Sequence, residues 1–493
     1  MRDSTMQSTE SVFSAASRVL VLDTLSWRPH LETSLEIALL ARERGARVRY
    51  LNFRRTLAAI EDASWLPRAL DLNTLRVGRA KRLLRDAGVE TAEAGVTQAD
   101  RVQAAASARS LLRACADTAA LRQLRTGSFD DIGWGVLSSV VEVTRNPFAS
   151  LQAHAGLFEG FLASALLVYG VARRAIREFA PDTVVLFNGR YASTRAIYAA
   201  ARAEGVRPAM HERGCDKDHY WIATEPIHDP DYIQRCIREF WRPELAAAGE
   251  EFFAGRRGRV ERDWRSYTKG QTEGRIPPAM QDGSSWVVFF TSSEDEYVAI
   301  GDKYVNRAFP AQFDAIRAVE QAVRELPGHR LCVRMHPNIA SKSGEQVAFW
   351  KSLAIPGGLV VGPDEDFDTY AILERARVAC SYGSTVGVEA TFWGRPSLLT
   401  GRSIYDRLDA AFEAAGMDDV RAFLANPRVA PRLGALMYGA FFARFGTRYR
   451  FYQPDDLFRG RIRGAYLDPL LVRSLRLGRA NVASFVGAIL GPR

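Results

Sequence analysis

Two short stretches of this chain combine residue types that hold anions. Arg334-Met335-His336-Pro337 sets a permanent cation two residues from an imidazole, and Ser381-Tyr382-Gly383-Ser384-Thr385 supplies hydroxyls around a glycine turn. Leu331-Cys332-Val333 and Val378-Ala379-Cys380 are apolar runs that read as buried strands, so each polar stretch is expected at a strand's carboxyl end, where open α/β sheets bind ligands. A helix through Val388, Ala390 and Phe392 would start at Ser384 and Thr385, offering free backbone N–H groups and the positive end of its dipole. Taken alone, Ser384 or Thr385 is an ordinary N-cap. An Arg-x-His-Pro upstream in the same βα series moves the reading to a phosphate site, for a nucleotide monophosphate or diphosphate.

The elements that would position these residues repeat along the chain. Residues 18–23 read as a buried strand, 31–44 as an apolar-periodic helix stopped by Gly45, and 46–52 as a second strand, which makes an opening βαβ unit. Residues 57–116, rich in Ala, Leu and Arg, read as an inserted helical layer. A helix over 156–179 then feeds a strand at 183–187, followed by Asn188-Gly189-Arg190, a helix over 192–203 and a strand at 206–210 that ends in His211-Glu212-Arg213-Gly214. Residues 268–285 have linker composition. After them strands are expected at 286–290, 329–334, 359–361, 378–381 and 397–400, with helices between, which implies a second parallel sheet. The expected fold class is therefore α/β, with two Rossmann-like domains facing a cleft. The expected divisions are a disordered 1–17, a first domain over 18–267 with a helical insertion at about 55–180, the linker, a nucleotide-binding domain over 286–452 and closing helices over 453–493.

Composition agrees with this size of fold. A chain of 493 residues, 47% hydrophobic, is long enough for two cores. The net charge of +9 suits polyanionic ligands, an acidic membrane face or nucleic acid without choosing among them. Aromatic and basic residues do not cluster into a nucleic-acid module, so no nucleic-acid partner is expected. Five scattered cysteines read as reduced packing residues in a cytoplasmic protein. Residues 1–17 lack an apolar signal core, and no run is read as reaching the roughly eighteen apolar residues of a membrane span. The arginine-decorated apolar stretch at 470–490 is either a closing helix or a membrane-surface contact. His211, Cys215 and His219 recur every fourth residue, as on a metal-binding helix face, but the preceding strand and Gly214 argue against a helix there, and no metal is expected. P-loop, Gly-x-Gly-x-x-Gly and Gly-x-Ser-x-Gly motifs are absent, which removes support for kinase, dehydrogenase and hydrolase readings.

Together, Glu212-x-Gly214, His336-Pro337 and the Ser384-Thr385 pair resemble the GT-B glycosyltransferases of bacterial surface polysaccharides. The resemblance is to capsule polysaccharide biosynthesis proteins including Kdo transferases, and more distantly to sialyltransferases and glycerophosphotransferases. Asp130-Asp131-Ile132-Gly133-Trp134-Gly135-Val136-Leu137-Ser138-Ser139 also looks like a segment some of these capsule-type proteins carry. The resemblance implies a metal-independent inverting transferase that uses a nucleotide-activated sugar, cytidine-linked by preference, as co-substrate and needs no bound cofactor. Its acceptor would be a glycan or lipid-linked glycan at the inner membrane face. Glu212 would be the general base; His336 would meet the leaving phosphate, which Ser384 and Thr385 hold. Arg334 would neutralise the same charge or turn away to a carboxylate. Arg213 stands where sialyltransferase-like sites favour a second acid, which leaves His211 open as the base. Asn188 and Arg190 would line the acceptor side, or form a turn with Arg190 solvated. Glu389 would face the donor ribose or solvent. Ser381 and Ser292 would belong to donor-side loops, with an N-cap at Ser292 and Ser293 the competing reading. A nucleotide-sugar epimerase and a non-catalytic glycan-assembly subunit are the alternative functions.

Overall fold

The computed structural model describes residues 14, 16–62, 72–260 and 267–469. They form two units: one built from the described residues within 1–144, 149–228 and 445–493, the other from those within 145–148 and 229–444.

Unit 1 is laid on a seven-stranded sheet. Its strands are β1 (Arg18–Asp23), β2 (Arg47–Asn52), β3 (Glu90–Glu93), β4 (Thr183–Phe187), β5 (Arg207–Arg213), β6 (His219–Ala223) and the two-residue Thr447–Arg448. Its helices are α1 (His30–Glu43), α2 (Leu72–Asp86), α3 (Gln98–Arg113), α4 (Thr118–Arg122), α5 (Ile132–Thr144), α6 (Ala155–Phe179) and α7 (Ala192–Ala203). Val19 to Leu22 are fully buried, and so are Val184 to Leu186. Covering both faces of a parallel sheet requires such unbroken apolar strands rather than alternating ones. The order is β6-β5-β4-β1-β2-β3, with Thr447–Arg448 outside β6; β1 to β5 are parallel, while β5 with β6 and β6 with Thr447–Arg448 are antiparallel. The direction of winding reverses between β1 and β4, so the loops after those strands diverge and leave a crevice at the carboxyl edge.

Unit 2 holds a six-stranded, wholly parallel sheet of β7 (Ser285–Phe290), β8 (His329–Arg334), β9 (Leu359–Val361), β10 (Ala376–Ser381), β11 (Ser397–Leu399) and β12 (Phe412–Glu413) in the order β12-β11-β10-β7-β8-β9. Its helices are α8 (Pro230–Phe240), α9 (Ala246–Arg257), α10 (Gln312–Arg324), α11 (Gly344–Lys351), α12 (Thr369–Arg375), α13 (Val386–Phe392), α14 (Met417–Ala425) and α15 (Arg432–Arg444). Here the reversal falls between β7 and β10. The α/β class, with a parallel sheet in each unit, is thus present.

Several details differ from the sequence reading. The chain passes between units at 228 and 229, upstream of the linker-like 268–285, because α8 and α9 pack on α15. It returns to unit 1 at 445, where Cys215 N–H donates to Phe445 O. Inside the expected helical insertion, Glu90–Glu93 adds a third strand beside β2. Residues 452–462 pair as an antiparallel hairpin where closing helices were expected; 470–490 lies outside the described residues. Ala155–Phe179 is one helix long and apolar enough to cross a membrane by length and composition. In unit 1 it buries Phe158, Phe161, Leu162 and Val168 and packs against α3, α5 and α7.

Candidate functional site

Each sheet carries its chemistry-bearing residues on the carboxyl edge, beside its own reversal point. In unit 1, Glu212 lies near the end of β5 with its side chain about a quarter exposed. Its Oε2 accepts from Asn188 Nδ2 at 3.2 Å, and Oε1 accepts from the Arg213 backbone N–H at 3.0 Å. Asn188 follows β4 with φ 25°, and Gly189 with φ 71°. This left-handed pair turns the chain sharply. Asn188 Oδ1 is committed to the Arg190 N–H at 3.0 Å, which orients its amide so that Nδ2 points at the carboxylate.

His30, which the sequence reading passed over, completes this group. It is the first residue of α1, and its Nε2 lies 3.5 Å from Glu212 Oε1. The ring packs on Phe187 with centroids 4.1 Å apart, within a cluster of Leu25, Trp27, Phe187 and Tyr191. The available signal was its place: a histidine at a helix start, just beyond the first strand of a βαβ unit.

His211 is fully buried. Its Nε2 sits 2.8 Å from Ser34 Oγ, and Ser34 donates to Asp23 Oδ1 at 2.7 Å. With the serine proton directed at Asp23, Nε2 carries the imidazole's proton. Burial holds His211 down to about 3 and pushes Asp23 up to about 7, so the histidine is neutral at physiological pH. Arg190 is buried too; its Nε donates to Ser138 Oγ at 2.7 Å, tying the loop after β4 to α5. The Asp130 to Ser139 segment thus backs the Asn188 loop: Ser139 Oγ accepts from Ala192 N–H at 2.8 Å, and a Cβ at Gly135 would come within 3.1 Å of Arg195.

In unit 2 the loops after β7, β8 and β10 meet. His336 N–H donates to Thr291 Oγ1 at 2.8 Å, and its Nδ1 accepts from Asn338 N–H at 3.1 Å. An accepting Nδ1 leaves the proton on Nε2. Burial, then the charges of Lys342, Arg334 and Arg256, hold His336 down to about 4, so the half-buried ring is a neutral donor through Nε2. Tyr267 packs edge-on against it at 4.8 Å. Asn338 Nδ2 donates to Ser293 Oγ (3.1 Å) and Glu296 Oε1 (3.2 Å), while Lys342 Nζ and Ser293 Oγ both donate to the buried Asp295 (2.6 and 2.8 Å). The loops after β7 and β8 are thereby fastened to each other.

The other residues expected on the donor side divide. Arg334 turns to the β9 loop, where it donates to the backbone Gly362 O and Glu365 O and lies under the charge of the Glu365 carboxylate. Ser381 points inward to Tyr405 Oη at 3.2 Å. Ser292 N–H donates to Gln312 Oε1 at 2.6 Å, and its buried Oγ has no hydrogen-bond partner. It faces Gly383, where a Cβ would lie 3.9 Å from that oxygen and 2.8 Å from Arg402 O. Any larger residue at 383 would close the approach. Ser384 O accepts from Tyr405 Oη at 2.7 Å, and its Oγ is 3.4 Å from Val386 N–H.

Thr385 and Glu389 share one partner. Arg256 of α9 donates to Thr385 Oγ1 and to Glu389 Oε1, both at 2.9 Å, and Tyr370 Oη donates to Glu389 Oε2 at 2.5 Å. Burial is the largest single influence on Arg256 and lowers its pKa, but the charge and hydrogen bond of Glu389 together with Tyr370 and Tyr438 more than offset it, and the pKa is raised. Glu389 is buried in this cluster and does not face solvent.

The fold these edges sit on is α/β with a Rossmann-like parallel sheet in each unit. No protein family and no curated protein matches the chain. Among solved structures it is similar to the Thermosulfurimonas dismutans KpsC β-Kdo 2,4 transferase, with 15% identity, coverage of 53% of this chain and 79% of that one, and a TM-score of 0.37. It is also similar to a UDP-GlcNAc 2-epimerase from Neisseria meningitidis bound to UDP-GlcNAc (10% identity, 86% and 95% coverage, TM-score 0.27). A third is the spinosyn rhamnosyltransferase SpnG complexed with spinosyn aglycone (13% identity, 86% and 95% coverage, TM-score 0.24). Likenesses this distant carry no argument about activity, which rests on the residues.

Proposed function

We propose that this protein is a glycosyltransferase that moves a sugar from a nucleotide-activated donor to a glycan or lipid-linked acceptor at the inner face of the membrane. The observation that supports it most is His336. A neutral imidazole with Nε2–H as its donor, on the carboxyl edge of a parallel sheet and under the influence of three cations, suits a phosphate oxygen. In this reading the hydroxyl of the acceptor gives its proton to Glu212 as its oxygen attacks the anomeric carbon. The bond from that carbon to the nucleotide phosphate breaks, and the phosphate leaves with the electron pair. One displacement of this kind inverts the sugar carbon and calls for no metal. Asn188, the Arg213 N–H and His30 hold the Glu212 carboxylate in place, while the Ser292 hydroxyl and Gly383 leave room for the donor. A cytidine-linked donor is the first choice, on the strength of the motif resemblance.

Titration calorimetry with CMP, CDP, UDP and GDP tests the donor site. One nucleotide is expected to bind well and to lose its affinity in the Ser384→Ala, His336→Ala double variant. If no nucleotide binds, or the double variant binds as the parent does, the nucleotide site is elsewhere and the transferase reading fails.

A further inference from the structure

The turn between β5 and β6 gathers three side chains of the kinds that bind transition metals. Cys215, Asp216 and His219 bring a sulfur, a carboxylate oxygen and a ring nitrogen within 4.8 Å of one another. No helix is involved; His211, four residues before Cys215, is engaged by Ser34 instead.

The backbone accounts for the convergence. Gly214 N–H donates to His219 O at 2.9 Å and closes the hairpin. A Cβ at position 214 would lie 2.6 Å from the His219 Cβ, so glycine is what lets the histidine fold across the turn. Asp216 Oδ1 accepts from Asp218 N–H at 2.9 Å and contacts His219 Nδ1, which aims the carboxylate at the ring. The far side is clamped as well: Cys215 N–H donates to Phe445 O and Tyr449 N–H to Asp218 O, both at 2.9 Å, and Arg448 pairs with His219.

Charge and access fit a divalent ion. A thiolate, a carboxylate and a neutral imidazole sum to two negative charges. Lys217 Nζ is engaged by Asp218 at 3.3 Å, which leaves the Asp216 carboxylate to His219. Cys215 is buried, whereas the side chains of His219 and Asp216 are 28% and 36% exposed, so the soft ligand lies inside and an ion can enter past the harder ones. We propose that this turn binds one transition-metal ion of the zinc and cobalt type through Cys215 Sγ, Asp216 and a His219 ring nitrogen, with water in the fourth position. Binding forms the metal–sulfur bond and releases the thiol proton to solvent; no oxidant or reductant takes part. The ion braces the hairpin, and no step of sugar transfer runs through it.

The test uses the full chain, stripped with a chelator and titrated with Co²⁺. A thiolate-to-cobalt charge-transfer absorption should grow, saturate at one ion per chain and disappear when Zn²⁺ is added. Cys215→Ser should abolish the band, and His219→Ala should weaken binding by at least about tenfold. Cys115→Ser, at a distant half-buried cysteine, should leave it unchanged. Zn²⁺ should also raise the Tm of the parent protein, by mass action on the folded state, and a chelator should reverse the rise. No band with no Zn²⁺-dependent Tm shift overturns the proposal. So does a band that survives in a Cys215→Ser protein whose circular dichroism matches the parent. Neither readout depends on turnover, so this result and the transferase test stand apart.

Discussion

In unit 1 the carboxyl edge of the sheet presents a carboxylate, Glu212, among an amide, an imidazole and aromatic rings. In unit 2 the equivalent edge presents a neutral imidazole, His336, under the charges of Lys342, Arg334 and Arg256. Both edges arise from the same device, a parallel sheet whose winding reverses, yet their groups suit opposite chemistry: a carboxylate can take up a proton, and a neutral N–H donor can meet an anion. The difference lies in the loops. Unit 1 keeps its cation Arg190 inside, spent on Ser138, while unit 2 fastens its loops with a buried Lys342–Asp295 pair. Unit 1 holds two histidines lowered to about 3, His211 and His228, and two buried acids raised to about 7, Asp23 and Glu61, whereas in unit 2 His336 is lowered to about 4 and Glu294 raised to about 7. His211 is sealed in the core, while His336 is partly exposed.

The widest separation of the two edges should come from Glu212→Gln. It keeps the shape and loses the proton acceptor, so kcat for sugar transfer should fall by about 10²–10⁴ while nucleotide affinity by calorimetry stays within about twofold. A parallel loss of nucleotide affinity would erase the distinction between edges. Next in size, Lys342→Met removes the cation 2.6 Å from Asp295, whose side chain is 2% exposed, and leaves it Arg145 at 3.9 Å. Unfolding free energy from denaturant melts should drop by about 3 kcal/mol, and nucleotide binding should weaken with it, because Asn338 and Ser293 connect this pair to His336. Unchanged stability would show that the Lys342–Asp295 pair does not hold the fold. His336→Ala should then cost roughly tenfold to a hundredfold in nucleotide affinity, the value of a hydrogen bond to a charged group, with Tm nearly unaltered. If affinity holds, His336 does not meet the phosphate.

Much of this frame was legible in the chain. The apolar runs at 18–23, 183–187 and 329–334 announced buried parallel strands because both of their faces are covered, and the motifs fell at strand ends as expected. What escaped notice depends on partners distant in sequence. His30 gains meaning only from Glu212, some 180 residues later, and Glu389 turns inward because Arg256, 133 residues earlier, reaches it. β3, with sequence Glu-Thr-Ala-Glu, has no apolar run at all, since an edge strand that is half exposed needs none. The boundary between units was sought in the Gly- and Pro-rich 268–285, but packing of α8 and α9 on α15 decides it, and local composition carries no trace of that.

The smallest expected effect is a cancellation, in the buried Asp23–Ser34–His211 chain of unit 1. The folded His211 pKa, about 3, lies below its ordinary 6.5, so its contribution to stability is complete above pH 6.5 and is lost as pH falls toward 3. The folded Asp23 pKa, about 7, lies above its ordinary 3.8, so its contribution is complete below pH 3.8 and is lost as pH rises toward 7. Between pH 3.8 and 6.5 the two slopes oppose, and in the parent protein this pair should leave almost no tilt. His211→Asn removes one slope and exposes the other. Whatever constant offset the lost Ser34 contact introduces, the variant's Tm relative to the parent should rise as pH is lowered from 6.5 to 4. A difference in Tm that stays flat over that window would mean that His211 is not held neutral in the fold. The contrast between the sealed His211 of unit 1 and the partly exposed His336 of unit 2 would then have to be drawn from exposure alone.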